Sequence, residues 1–128
     1  MRLDRPLSGY GPGVSAKIDV HAFDENGTTV VVVKGDLDLS TSPQLLEEAM
    51  PSTETAMRYV LDLSSVGFVD STGIGAFVRI RSALRDRGLE LHVVPSRRVR
   101  AALTLASLET TMVVHDSLEA ALQDGTPA

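Results

Sequence analysis

The sequence contains no cysteine and no tryptophan, and only two tyrosines and three phenylalanines. Without cysteine there is no disulfide framework, no thiolate metal ligand and no cysteine nucleophile, which fits a reducing compartment. The shortage of aromatics leaves the core to valine, leucine, isoleucine and alanine. Basic residues are also in the minority, 12 against 17 acidic ones, for a net charge of −5. That balance argues against binding a phosphate backbone, so no nucleic-acid partner is expected. The four consecutive valines at 30–33 fall far short of the roughly 20 apolar residues that span a bilayer. The opening MRLDRPLSGYGPGVS lacks the apolar centre of a signal peptide. A cytoplasmic protein with no membrane partner is the expectation.

What is present reads as one α/β domain. The chain has 128 residues, 43% of them hydrophobic and 23% charged, enough to bury a real core. Residues 1–14 mix Gly, Pro and charge without periodicity and read as a flexible arm, residues 15–124 as the domain and 125–128 as a flexible tail. Ile18 and Val20 alternate with polar neighbours, as in a half-buried strand. Asn26-Gly27 marks a hairpin, since both residues tolerate positive φ. Residues 28–34 (TTVVVVK) carry apolar side chains on both faces, as a central strand does. The loop GDLD at 35–38 leads to a helix capped by Ser42 with Pro43 at its first position. Pro51 ends that helix.

Residues 59–63 (YVLDL) read as a third strand, closed by a turn at Ser64-Ser65. From Ser71 to Arg87, Gly73, Phe77, Ile80 and Leu84 fall in one stripe at helical spacing, and Gly88 stands where a C-cap glycine belongs. Strands are expected at 89–94 and 112–114, and helices at 97–106 and 117–122. The sum is a mixed sheet of four to five strands with about four helices.

Candidate chemistry is concentrated in LDLSSVGFVDSTGIG, residues 61–75. A strand there runs straight into Asp70-Ser71-Thr72-Gly73 and a helix. The carboxylate and hydroxyls therefore sit at a helix N-terminus, where backbone N–H groups lack intrahelical partners and carry partial positive charge. An N-cap alone accounts for such a tripeptide. A phosphate on Ser71 is also compatible with it, because its oxygens could accept hydrogen bonds from the first-turn N–H groups. Projected at 100° per residue, Ser71, Ile74, Val78 and Ser82 share a flank away from the core stripe. Ile74 and Val78 are thus either a docking patch beside the hydroxyl or covered core.

Other signals carry less. His21, His92 and His115 are scattered and lack i, i+4 spacing, so no metal site is expected. Ser71 has no nucleophile-elbow pattern G-x-S-x-G around it, and no phosphate-loop or dinucleotide fingerprint is present. Neither an enzyme nor a cofactor is expected. Arg97, Arg98 and Arg100 form a basic cluster that reads as a solvated face or as a contact to an acidic partner.

The run DLSSVGFVDSTGIGAF, followed by a helix that ends in Arg87-Gly88, resembles the STAS domain family, in particular bacterial anti-sigma-factor antagonists. Gly35-Asp36-Leu37-Asp38 looks like that family's loop between second strand and first helix. LHVVPSRRVRAALTLASL and DSLEAAL look like its later strand and helices, so the likeness spans roughly Ile18 to Leu122. It implies that Ser71 is a phosphoacceptor; taken with the helical projection and the neighbouring carboxylates, the expected partner-binding residues are Asp36, Asp38, Asp70, Ser71, Thr72, Gly73, Ile74 and Val78. The implied partner is an anti-sigma factor with a histidine-kinase-like fold, which acts as a serine kinase. Unphosphorylated, the antagonist binds it and releases a sigma factor; a PP2C-type phosphatase resets the serine. The same resemblance leaves open a fixed adaptor in a stress-signalling complex or a lipid transporter.

Overall fold

The computed structural model describes residues 17–52 and 57–123. The arm at 1–14 and the tail at 125–128 lie outside the described residues. Five strands, β1 (Asp19–Glu25), β2 (Thr28–Leu37), β3 (Arg58–Val69), β4 (His92–Pro95) and β5 (Val113–Val114), lie in one sheet in the order β1-β2-β3-β4-β5. The β1–β2 hairpin is antiparallel and turns at Asn26 and Gly27, both at positive φ. The remaining pairings are parallel. Successive parallel strands need a crossover, and α1 (Ser42–Ala49), α2 (Ser71–Arg85) and α3 (Arg97–Leu105) supply them. A short helix α4 (Leu118–Gln123) closes the described chain. Among the described residues, no helix is long and apolar enough to cross a membrane.

The alternation of each strand decides which helix it meets. Val31, Val33, Leu61, Leu63 and Val93 join Leu45, Phe77, Ile80, Leu84, Val99 and Leu103 in one buried cluster. The intervening positions Val60 and Val94 pack on Ala121 and Leu118 of α4, across the sheet. Truncating a side chain as buried as Phe77, which is fully shielded, costs about 3–5 kcal/mol in cores of this kind. The stripe expected on α2 is therefore the stripe that packs.

Several boundaries differ from the sequence expectations. β3 continues through Ser64-Ser65 to Val69, so the expected turn there is strand. β2 likewise runs on through Gly35 and Asp36 to Leu37, which makes most of the expected GDLD loop strand as well. These extensions pair with each other, with register shifts between Val32 and Lys34 and between Gly35 and Asp36. Ser65 pairs with Lys34 and Gly35 with Val66, which outweighs the local turn preference of both residues. Helix α1 starts at Ser42 itself, with Thr41 rather than Ser42 at the N-cap. Strand β4 begins only at His92 and β5 at Val113, and α4 begins at Leu118.

The parallel arrangement brings the C-terminal ends of β2, β3 and β4 to one edge of the sheet. The N-termini of α1, α2 and α3 open there too. In parallel α/β sheets this edge is where functional groups gather.

Candidate functional site

At that edge the last residues of β2 and β3 pair, Leu37 with Val69 and Asp36 with Phe68. The Asp70 N–H then donates to the Leu37 carbonyl at 3.0 Å, which fixes where α2 begins. Asp70 is the N-cap, in extended conformation. Its Oδ1 accepts from Thr72 N at 2.8 Å, from Thr72 Oγ1 at 2.5 Å and from Gly73 N at 3.3 Å. The Thr72 hydroxyl, helped by the two amides, holds the Asp70 carboxyl below its usual range, against opposition from burial and from the charge of Asp38.

Ser71 is exposed, on the first turn of α2. Its hydroxyl makes no hydrogen bond among the described residues. Of the first-turn N–H groups that a phosphate here would meet, those of Thr72 and Gly73 already donate to Asp70 Oδ1.

Gly73 is buried, and a Cβ there would stand 2.6 Å from Val69 Cγ2 and 3.0 Å from Leu37 Cβ. Its bareness lets α2 close onto the ends of β2 and β3, so its place is in packing. Ile74 is half-buried and touches the main core, whereas Val78 is half-buried outside it. The expected patch thus divides between partial core and partial surface.

Asp36 is exposed, and Asp38 sits where β2 hands over to α1. Asp38 Oδ1 accepts from Ser40 Oγ at 2.7 Å, Ser40 N at 3.0 Å and Thr41 N at 3.2 Å. These bonds, the Ser40 hydroxyl first, pull its carboxyl below the usual range against the effect of burial. One oxygen of Asp38 is therefore spent on ordering the loop. Thr41 Oγ1 donates to the Asp36 carbonyl at 2.7 Å and accepts from Asp38 N at 2.9 Å. This explains why Thr41 occupies the N-cap of α1 without capping through its side chain.

Two features escaped the sequence reading. Leu39 is 75% exposed and Phe68 is 44% exposed, next to Asp38 and across the ladder from Asp36. The sequence signal was available in the alternation around Phe68, but it needed the register of β3 to be read. The second feature concerns the histidines. His92 and His115 come together, with Nδ1 of His92 3.0 Å from Nε2 of His115 and the rings stacked. Arg58 Nη2 lies 3.0 Å from the same Nδ1, and its Nη1 donates to the Ala121 carbonyl at 2.9 Å. Arginine is only a donor, so His92 Nδ1 accepts there. Among the described residues no group of three or more potential ligands forms a metal site. Arg100 pairs with Asp116 at 3.0 Å, while Arg97 and Arg98 are exposed.

Comparison with known proteins gives a consistent result. The family model described as STAS domain matches residues 18–121. An "Anti-sigma-B factor antagonist" of Staphylococcus aureus is 33% identical over 91 residues, 70% of this chain and 84% of that protein. Among solved structures, an anti-sigma factor antagonist from Mycobacterium paratuberculosis superposes with a TM-score of 0.70 at 25% identity, over 84% of this chain and 92% of that one. The anti-sigma factor antagonist SpoIIAA, in its unphosphorylated form, does so with a TM-score of 0.63 at 16% identity, over 84% and 94%.

Proposed function

This chain belongs to the STAS domain family, and from that premise we propose that it is an anti-sigma-factor antagonist switched by phosphorylation of Ser71. In the unmodified state it binds an anti-sigma factor, and the sigma factor held there is released. The anti-sigma factor, an ATP-binding protein with a histidine-kinase-like fold, transfers phosphate to Ser71 and so ends the complex. A PP2C-type phosphatase restores it. Asp36, Asp38, Asp70, Ser71, Thr72, Ile74 and Val78 contribute to or border the contact surface, and Gly73 shapes it from beneath. The protein works in the cytoplasm, and its role is binding rather than catalysis.

The observation that carries this reading is the state of Ser71. Its hydroxyl is exposed, makes no hydrogen bond among the described residues and is held at the start of a well-packed helix, next to the Asp70 cap. A kinase can reach it, and the modification need not dismantle the fold. Phosphate adds about −1.5 to −2 charges at neutral pH. The Asp70 carboxylate already takes the N–H groups of Thr72 and Gly73, and the charge of a phosphate next to it would add to its own. At an interface from which water is excluded, such charge must find a partner or be expelled. A hundredfold loss of affinity corresponds to about 2.8 kcal/mol, a size that one unmatched phosphate readily reaches.

The similarity to the S. aureus antagonist supports the same role, as does the likeness to a fold solved in an unphosphorylated form. The test is incubation with purified anti-sigma factors of the source organism and ATP, followed by mass mapping. Modification at Ser71, with loss of binding by the modified form, is the expected result. Equal binding of the two forms would remove the switch.

A further inference from the structure

One helical turn beyond Ser71, Gly75 lies exposed in α2, and a Cβ built there meets no atom within 4 Å. Its φ is not in the left-handed region that favours glycine. Nothing inside the fold therefore asks for glycine at this point, and glycine within a helix is less stable than alanine. Gly73 is the contrast, because a Cβ there would collide with Val69 and Leu37. The reason for Gly73 is internal; any reason for Gly75 must be external.

The surroundings of Gly75 describe what approaches it. Ile74 and Val78 flank it as half-buried apolar side chains. Arg79, a further turn along, is exposed and makes no hydrogen bond or ion pair among the described residues. Ser71 and Arg79 thus bracket Gly75 along roughly 12 Å of helix, at 1.5 Å per residue. The Ser71 end of this line meets the carboxylates of Asp70 and Asp38, while the Arg79 end is positive.

We propose that Gly75 is a specificity-determining position of the Ser71 surface, where the main chain of the anti-sigma factor closes onto α2. The approaching segment is apolar where it passes Ile74 and Val78, and it presents a carboxylate to Arg79. This rests on the antagonist reading above and deepens it. With the partner's backbone against Gly75, a hydroxyl one turn away falls within the same dehydrated contact. A phosphate on Ser71 is then excluded by space as well as by charge.

The test uses the full chain and the anti-sigma factor of the source organism that binds it, and compares Gly75→Ala, Gly75→Leu, Arg79→Glu and Ser71→Asp. Gly75→Ala is expected to raise the melting temperature by a few degrees, as alanine does at open helix positions, yet to weaken binding about tenfold or more. Gly75→Leu should abolish binding with the fold intact, and Arg79→Glu should weaken it with a reduced dependence on salt. If Gly75→Ala bound as tightly as wild type while Ser71→Asp did not, this inference would fall and the antagonist reading would stand. A lowered melting temperature for Gly75→Ala would also overturn it, by revealing an internal need for glycine. Should Ser71→Asp bind like wild type, or no anti-sigma factor bind at all, the antagonist reading itself would fail.

Discussion

Ser42 Oγ and Thr72 Oγ1 lie 3.1 Å apart and join the first turns of α1 and α2. The Thr72 hydroxyl already donates its only proton to Asp70 at 2.5 Å, so Ser42 is the donor across the gap. A directed chain runs from Ser42 through Thr72 to Asp70, and it ties both helix starts at the functional edge. Because Ser42 is buried, breaking this chain exposes nothing to water that could replace it. Ser42→Ala and Thr72→Val should each lower stability by about 1 kcal/mol, and the double variant by less than their sum. Chemical denaturation of the four members of the cycle measures this; strictly additive losses would mean that the two hydroxyls are not coupled.

Ser71→Ala should leave the melting temperature almost unchanged, since it removes an exposed hydroxyl without a hydrogen bond. Surface changes of that sort stay within about 0.5 kcal/mol. The same variant should bind the anti-sigma factor permanently and accept no label from ATP, whereas Ser71→Asp should bind at least tenfold more weakly. Continued labelling of Ser71→Ala would move the site. Thr72 would be the next hydroxyl to suspect, although its engagement with Asp70 and Ser42 makes it the poorer acceptor.

Gly73→Ala should destabilise the protein by about 1–3 kcal/mol, the usual range for overpacking a closed core. The added Cβ would sit 2.6 Å from Val69 Cγ2, and the N-terminus of α2 would have to lift from the strand ends. Thermal unfolding shows the loss directly, and a melting temperature equal to wild type would mean that the packing here is looser than the distances require.

Asp38 and Asp70 both have carboxyls lowered by hydrogen bonds, the first chiefly by the Ser40 hydroxyl and the second by that of Thr72. A folded pKa below the unfolded one means that the folded state favours the ionised form. The stabilisation is therefore complete above the unfolded value, about 3.9 for Asp, and is lost as pH falls through the lower folded value. Melting temperatures of wild type and Asp70→Asn should differ most near neutral pH and converge under strong acid. A difference that grew on acidification would reverse the assignment.

Leu39 and Phe68 protrude beside Asp38 and Asp36 without helping the core. Leu39→Ala and Phe68→Ala should leave thermal stability nearly intact while slowing association or hastening release of the partner. Surface plasmon resonance reads both rates. Unchanged kinetics in both variants would confine the contact to α2.

What the sequence determined by itself is what depends on neighbours along the chain. The valines at 30–33, the stripe of Phe77, Ile80 and Leu84 and the hairpin at Asn26-Gly27 announce their elements through spacing and backbone preference alone. The exposure of Ser71 followed from the same helical projection that buried Phe77. Tertiary structure decided the rest, because it depends on pairing between distant segments. Ser65 prefers a turn locally, yet its pairing with Lys34 of β2 holds it in strand. Asp70 looks like an open cap in one dimension; only the folded helix start shows that its carboxylate takes the N–H groups of Thr72 and Gly73. His92 and His115 lie 23 residues apart in the chain and meet because β4 and β5 pair in parallel. The difference between the two glycines is of the same kind, since the chain writes them alike and only the presence of Leu37 and Val69 beneath one of them tells them apart.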